Sequence, residues 1–183
     1  MSINLLKIET CTADLWSDVN RANEPFLMIG RVCPTYENRQ WQYMEDLWSS
    51  SVPKQYPNDD WERETYLDSE DHVIFLAYRE KKIVGQIVLR KDWNRYAFIE
   101  DICVAASARG QGVGSALIER AKQWAEEQYL CGLALETQDT NVLACRFYRK
   151  CGFSIGGVNT MLYRGFEKPW SEEIAIYWYL TWK

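Results

Sequence analysis

The sequence predicts a mixed α/β sheet with helices packed on it, and three observations carry that reading. Apolar runs bounded by polar turns recur through the first hundred residues, a segment of helical period follows a strand-like run at 113–128, and strands and helices then alternate as far as a strand-like tail. At 183 residues, nearly half of them apolar, the chain has the length of a single domain, 1–183, able to bury a core.

Taken in order, Ile3 to Glu9 reads as a first strand and Ala13 to Ala22 as a short helix. Phe26 to Trp48 holds two apolar-rich stretches about the polar turn Glu37-Asn38-Arg39-Gln40, the pattern of a hairpin. Ser49 to Asp60, with its serines, Pro53 and Pro57, reads as a loop, and Trp61 to Leu67 as one or two helical turns. Val73 to Tyr78 and Ile83 to Leu89 flank Glu80-Lys81-Lys82 as two strands about a tight turn, and Arg95 to Val104 makes a third. Val113, Ala116, Leu117, Ala121, Trp124 and Ala125 recur at three- and four-residue steps, which marks one buried helix face. Gly132 to Thr137 reads as a strand, Asn141 to Lys150 as a helix, and Phe153 onward as a strand after a turn at Gly152. The tail from Glu173 to Trp182 alternates Ile174, Ile176, Trp178, Leu180 and Trp182 with Ala175, Tyr177, Tyr179 and Thr181, the period of a strand.

Composition narrows the function classes. The net charge is −5, with six basic and thirteen acidic side chains up to residue 70, so about −7 lies there and the remainder is close to +2. An acidic first stretch reads either as a solvated surface or as a rim that concentrates a cationic substrate, and it disfavours nucleic acid. Nine Trp and eleven Tyr supply mainly core, but aromatic faces beside carboxylates also hold amines. No apolar run reaches the roughly 18 to 20 residues needed to span a bilayer. Residues 1–9 lack the pattern of a secretory signal, so no membrane partner and a cytoplasmic location are expected. The six cysteines, at 11, 33, 103, 131, 145 and 151, lie in apolar surroundings without a C-x-x-C pair and are read as reduced; no metal is expected. His72, the single histidine, heads an apolar run and reads as structural, which disfavours triad chemistry.

Against this background one segment stands out. Arg109-Gly110-Gln111-Gly112-Val113-Gly114 follows the strand 98–104 and opens the helix that continues through Ser115. Glycines remove Cβ atoms, so consecutive N–H groups can turn toward one anion, and the helix start adds orphan N–H groups and a partial positive charge. The segment reads as a phosphate seat. A second patterned stretch runs from Asn141 through Ala144, Phe147 and Tyr148 to Gly152-Phe153.

These two gapped motifs, in this order, resemble those of the GNAT superfamily of acetyl-CoA-dependent N-acetyltransferases: Arg109, Gly112 and Gly114 match its loop pattern, and Asn141, Ala144, Phe147, Tyr148, Gly152 and Phe153 its later helix pattern. The resemblance implies a mixed, mostly antiparallel sheet with a splayed parallel strand pair and helices on both faces. A closer likeness lies in Leu89 to Asp101, Leu135 to Asp139, Thr160 to Tyr163, Glu24-Pro25-Phe26, Tyr36-Glu37-Asn38 and Trp178-Tyr179-Leu180, which are similar to the streptothricin acetyltransferases. Those enzymes acetylate an amine of the β-lysine arm of streptothricin (nourseothricin) and confer resistance to it. The acidic segment 59–71 is where this chain is expected to differ most from such relatives.

The resemblance implies direct transfer from acetyl-CoA in a ternary complex, and it distributes roles. Backbone groups of Arg109, Gly110, Gln111, Gly112, Val113, Gly114 and Ser115 would receive the pyrophosphate, with the Arg109 guanidinium either adding charge or facing solvent. Main-chain groups of Ile102, Cys103 and Val104 would bond the pantetheine amides, and Asn141 and Ala144 would contact the cofactor region, Asn141 also as a helix N-cap. An amine with a solution pKa of about 10.4 arrives protonated, so a carboxylate must take its proton. Glu100 is assigned as that base and Asp101 as amine-binding, with the reverse left open; alternation along a strand separates the two faces unless a bulge redirects one of them. Tyr148 is the expected general acid toward the departing thiolate and also contacts the cofactor. Glu136 and Asp139 are expected to hold further ammonium groups, Asp139 equally as a loop or capping residue, and Trp93 and Tyr96 are candidate substrate walls. The alternatives are a polyamine, aminoglycoside or protein/peptide amine acetyltransferase, or a silent acetyl-CoA-binding sensor; Glu100, Asp101 and Tyr148 argue against the sensor. The expected partner is a small cationic amine, and both monomer and homodimer stay open.

Overall fold

The computed structural model describes residues 5–182. In chain order the elements are β1 (Lys7–Thr10), β2 (Phe26–Glu37), β3 (Gln40–Lys54), α1 (Arg63–Tyr66), β4 (His72–Arg79), β5 (Lys82–Lys91), β6 (Tyr96–Val104), α2 (Val113–Glu127), β7 (Gly132–Gln138), α3 (Val142–Lys150), β8 (Ser154–Asn159) and β9 (Ala175–Thr181). The part of the predicted first strand at Ile3 and Asn4 lies outside the described residues. The chain divides into two compact units: residues up to Pro25 with Gln55–Leu133, and Phe26–Lys54 with Ala134–Trp182. No described helix is long and apolar enough to cross a membrane, and none of the six cysteines is in a disulfide.

In the first unit β1, β4, β5 and β6 lie in that order, each antiparallel to its neighbour. The β4–β5 turn is tight because Glu80 and Lys81 both take left-handed conformations, with φ of 48° and 65°. Register sorts the side chains. Phe75, Ile87 and Gly85 share the face against α2, where a Cβ on Gly85 would stand 3.1 Å from the side chains of Leu117 and Val113. Glycine at 85 therefore sets how closely α2 packs. On the opposite face Ile74, Leu76, Tyr78 and Val88 form a core with Cys11 and Tyr66, against which Leu15, Trp16, Val19, Trp61 and Leu67 pack.

The helix expected over 13–22 is instead a series of turns with one 3-10 turn at Trp16–Asp18. The apolar spacing of Leu15, Trp16 and Val19 is used for packing, while Asn20 at φ 68° ends helical winding and points its polar groups inward. At the far end of the unit the Cys131 N–H donates to the Arg95 carbonyl at 2.9 Å. Strands β6 and β7 thus begin side by side and run in the same direction, as the resemblance implied.

The second unit holds the β2–β3 hairpin and the sheet order β7-β9-β8. Asn38 and Arg39, at φ 52° and 64°, close the predicted hairpin turn. Strand β3 runs on to Lys54, with Pro53 opposite Leu27, so the loop expected from Ser49 begins only after Lys54. A two-stranded ribbon has open edges and a solvated face, so it tolerates both the serines and a proline that would break a central strand. Helix α3 starts as expected: the Asn141 side chain accepts from the Ala144 N–H at 3.2 Å. Ionic groups lie inside this unit. Lys54 and Glu173, 7% and 6% exposed, pair at 2.6 Å, and Thr140 donates to Glu173 at 2.7 Å.

Candidate active site

The expected functional residues fall into one group in each unit. In the first, β6 delivers the chain to a 3-10 turn at Ala106–Ala108 and then to the glycine loop. Gly110 and Gly112 stand at φ 72° and 84°, a region that L side chains avoid, and nothing lies within 4 Å of where a Cβ would sit on either. Backbone conformation, not crowding, demands glycine there, and the seat is open. Gly112 is the N-cap of α2 and no side chain caps the helix. The Ala116 N–H bonds the Gly112 carbonyl at 3.0 Å. Val113, Gly114 and Ser115 precede that bond and present the orphan donors of a helix start. These donors, at the positive end of a fifteen-residue helix, fit the pyrophosphate of acetyl-CoA.

The Arg109 side chain is exposed and at the same time bonded to the backbone around it. Its guanidinium donates to three carbonyls, from Nε to Val104 at 2.9 Å and from the two terminal nitrogens to Pro25 at 2.7 Å and Glu24 at 2.9 Å. Planar guanidinium geometry suits such a fork, so Arg109 ties the loop to the end of β6 and to the N-terminal segment. The Glu24 carboxylate completes the tie by accepting from the Ala106 N–H at 2.6 Å. On the other side Arg79 donates to both the side chain and the carbonyl of Gln111.

Upstream, β6 carries a bulge. Asp101 pairs with Val88 while Ile99 pairs with the adjacent Leu89, which leaves Glu100 as the extra residue. The consequence is a change of face. Asp101 shares the Val88 side of the sheet, opposite α2, and the Glu100 carboxylate reaches that side too. There Glu100 accepts from the Tyr66 hydroxyl at 2.7 Å and pairs with Arg90 at 3.2 Å. Burial, then the bond to Glu100, drives the Tyr66 phenol far above its ordinary pKa, so it stays a proton donor.

Asp101 meets a different environment. Gln86, 1% exposed, donates from Nε2 to Asp101 Oδ2 at 2.6 Å. Burial pushes the Asp101 carboxyl up to about 6, opposed by the Gln86 bond and raised further by Asp59. Cys103, next on that face, is itself pushed up by burial and by the Asp101 charge.

The second unit holds Glu136, Asp139, Asn141, Ala144 and Tyr148. Tyr148 is 7% exposed and packs among Phe147, Phe153 and Trp178, at ring distances of 5.5, 5.9 and 6.2 Å. Glu136 accepts from the Tyr163 hydroxyl at 2.5 Å, and burial raises its pKa.

Three further expected substrate contacts, Asp139, Trp93 and Tyr96, lie as follows. Asp139 is 3% exposed and accepts from the Ile174 N–H at 3.0 Å and from Arg31 at 3.2 Å. Those bonds tie it to Arg31 on β2 and to the segment before β9, which fits the loop role weighed equally for Asp139. Trp93, 92% exposed, sits in the β5–β6 turn, at the opposite end of β6 from the glycine loop. Tyr96 opens β6 at that same end, five residues before Asp101 and so roughly 16 Å from it at the usual strand rise.

Gln86, Asn20, Tyr66 and Arg90 were missed. Gln86 had a signal: it is the one polar side chain within the run Ile83 to Leu89. The other three are polar residues in polar neighbourhoods, and only the fold brings them to the carboxylates.

The family model for the acetyltransferase (GNAT) family matches residues 40–153. Streptothricin acetyltransferase A of Bacillus subtilis is 49% identical over 162 residues, covering 88% of this chain and 92% of that protein. Among solved structures, a Bacillus anthracis chain assigned as a streptothricin acetyltransferase, with acetyl coenzyme A bound, matches with a TM-score of 0.90 and 38% identity over 97% of this chain and 100% of that one. A nourseothricin acetyltransferase matches with a TM-score of 0.79 and 27% identity over 96% of this chain and 98% of its own.

Proposed function

The chain belongs to the acetyltransferase (GNAT) family, and on that premise we propose that it acetylates an amine of streptothricin (nourseothricin) with acetyl-CoA, conferring resistance to the antibiotic. The observation that carries the substrate assignment is the 49% identity to the Bacillus subtilis relative across 88% of the chain. The family model covers residues 40–153 and so parts of both units, which supports reading 1–183 as one acetyltransferase domain. The setting is the cytoplasm and the partner a small cationic amine; the chain acts as a monomer or a homodimer.

When bound, acetyl-CoA supplies an activated thioester, and the chain's own residues do the rest. The orphan N–H groups of α2 and the loop 109–114 hold the pyrophosphate, while Arg109 keeps the loop in the shape that holds it. Main-chain groups of Ile102 to Val104 align the pantetheine arm. The acceptor ammonium loses two protons in becoming an amide. A β6 carboxylate takes the first and passes it to solvent, which frees the nitrogen lone pair to form the bond to the acetyl carbon as the carbon–sulfur bond breaks. Tyr148 gives its phenolic proton to sulfur and regains one from the nitrogen. The sum is one proton released per turnover.

The test is thiol release from acetyl-CoA with nourseothricin, spermidine, an aminoglycoside and a lysine peptide in parallel. Release with nourseothricin alone is the expected result. Release with another amine alone moves the assignment to that amine. Acetyl-CoA binding without turnover on any amine converts the reading to a sensor.

A further inference from the structure

The two carboxylates on β6 are held differently, and the difference assigns them. Both oxygens of Glu100 are engaged, Oε2 by the Tyr66 hydroxyl and Oε1 by the Arg90 cation. Asp101 has no ion-pair partner among the described residues: its contact from β5 is a neutral amide, and on its own strand it accepts from the Cys103 side chain and the Ile102 N–H, both neutral donors.

That amide is locked in orientation. The Asn20 backbone N–H, which can only donate, lies 2.7 Å from the Gln86 side-chain oxygen. Gln86 must therefore turn Nε2 the other way, toward Asp101 Oδ2 at 2.6 Å and the Asn20 side-chain oxygen at 3.2 Å. Asn20 is in turn fixed, receiving a bond from Trp61 Nε1 at 3.3 Å and donating to the Asp59 carbonyl at 2.8 Å. Its left-handed φ of 68° presents both its N–H and its side chain to Gln86. The bulge at Glu100 is what brings Asp101 onto the face where this clamp waits.

We propose that Asp101, not Glu100, takes the proton from the substrate ammonium, and that Gln86, held by Asn20, is the residue that positions Asp101 for it. The proposal rests on the acetyl-transfer reading above and deepens it. Asp101 accepts one proton on a carboxylate oxygen and hands it to solvent, leaving the neutral amine to attack; Glu100, tied to Arg90 and Tyr66, holds the bulge in place. The titratable and charged groups about Asp101 are Glu100 and Cys103 on its own strand, Arg90 on β5, Asp59, and Tyr66 on α1. Burial makes Asp101 a base suited to neutral pH, and the Gln86 donor keeps the carboxyl from rising further.

The experiment is the pH profile of kcat/KM for nourseothricin at saturating acetyl-CoA. The wild-type chain is compared with Asp101→Asn, Glu100→Gln, Gln86→Met and Asn20→Gly. Substitution by methionine keeps the volume and removes the donor; substitution by glycine keeps the left-handed backbone and its N–H. The wild type is expected to lose activity below about pH 6, and Asp101→Asn to lose that limb together with about 100-fold in rate. Gln86→Met should move the limb up by about half a pH unit or more, with KM for acetyl-CoA unchanged, and Asn20→Gly should move it the same way by less. Glu100→Gln should leave the limb where it is. The proposal is overturned if Asp101→Asn keeps the limb, if Glu100→Gln removes it, or if Gln86→Met lowers the rate equally at every pH. Carbon NMR of labelled aspartate reads the Asp101 midpoint without any substrate. That midpoint must rise in Gln86→Met, so a failure of the substrate reading and a failure of the clamp give different results.

Discussion

Tyr148 shows how far one residue's role can be argued from its surroundings. Its ring packs against Phe153 and Trp178, so the substitution Tyr148→Phe keeps the packing and deletes only the hydroxyl. We expect kcat to fall about 100-fold while acetyl-CoA binding, followed by tryptophan fluorescence, changes less than about twofold. An unchanged kcat would return Tyr148 to the core. Arg109 makes the converse case, because its value lies in shape more than charge. A lysine ammonium cannot reach the carbonyls of Val104, Pro25 and Glu24 as a fork does. Arg109→Lys is therefore expected to raise KM for acetyl-CoA about as much as Arg109→Ala, each roughly tenfold. If lysine restores the wild-type KM in steady-state assays, the charge and not the fork is what matters.

Elements were legible in the sequence to the extent that their periods reported local physics. Strands β4, β5 and β6, helices α2 and α3 and the hairpin turn stand where the pattern put them, because alternation, helical spacing and turn residues act over a few neighbours. The stretch 13–22 was misread because its apolar spacing serves a core built with β4 and β5, and Asn20 prevents helical winding. Ser49 to Lys54 was misread because a polar ribbon strand and a loop look alike in composition. The glycine loop is the clearest element-scale test. Gly112→Ala places a Cβ at φ 84° and is expected to cost about 1–2 kcal/mol in urea unfolding and to weaken acetyl-CoA binding. Gly157→Ala, with open space around its Cβ and no positive φ, should stay within about 0.5 kcal/mol.

At the scale of the whole molecule, a carboxyl raised by burial links stability to pH. In the folded chain Asp101 ionises near 6 and its ordinary value is 3.8. Its protonation therefore favours the folded state fully below about pH 4, and that contribution is lost as pH rises through 6. Asp101→Asn removes the ionisation. The variant should match the wild type in stability below about pH 4 and exceed it by roughly 1–3 kcal/mol above pH 6, read from urea unfolding at several pH values. A constant difference across that range would contradict the burial of Asp101. A gain in stability at neutral pH joined to a loss of turnover is what a strained functional carboxylate produces.

The sequence by itself determined the family and singled out the glycine loop, Tyr148 on α3 and the pair of strand carboxylates, because each rests on residues close together in the chain. Only the tertiary structure decided how that pair is divided. The bulge turns Asp101 to the face opposite α2, Arg90 and Tyr66 engage Glu100, and Gln86 with Asn20 holds Asp101. The physical reason is distance along the chain: the roles depend on solvation and hydrogen bonds among residues 20, 66, 86, 90, 100 and 101, and no local pattern records contacts made by folding.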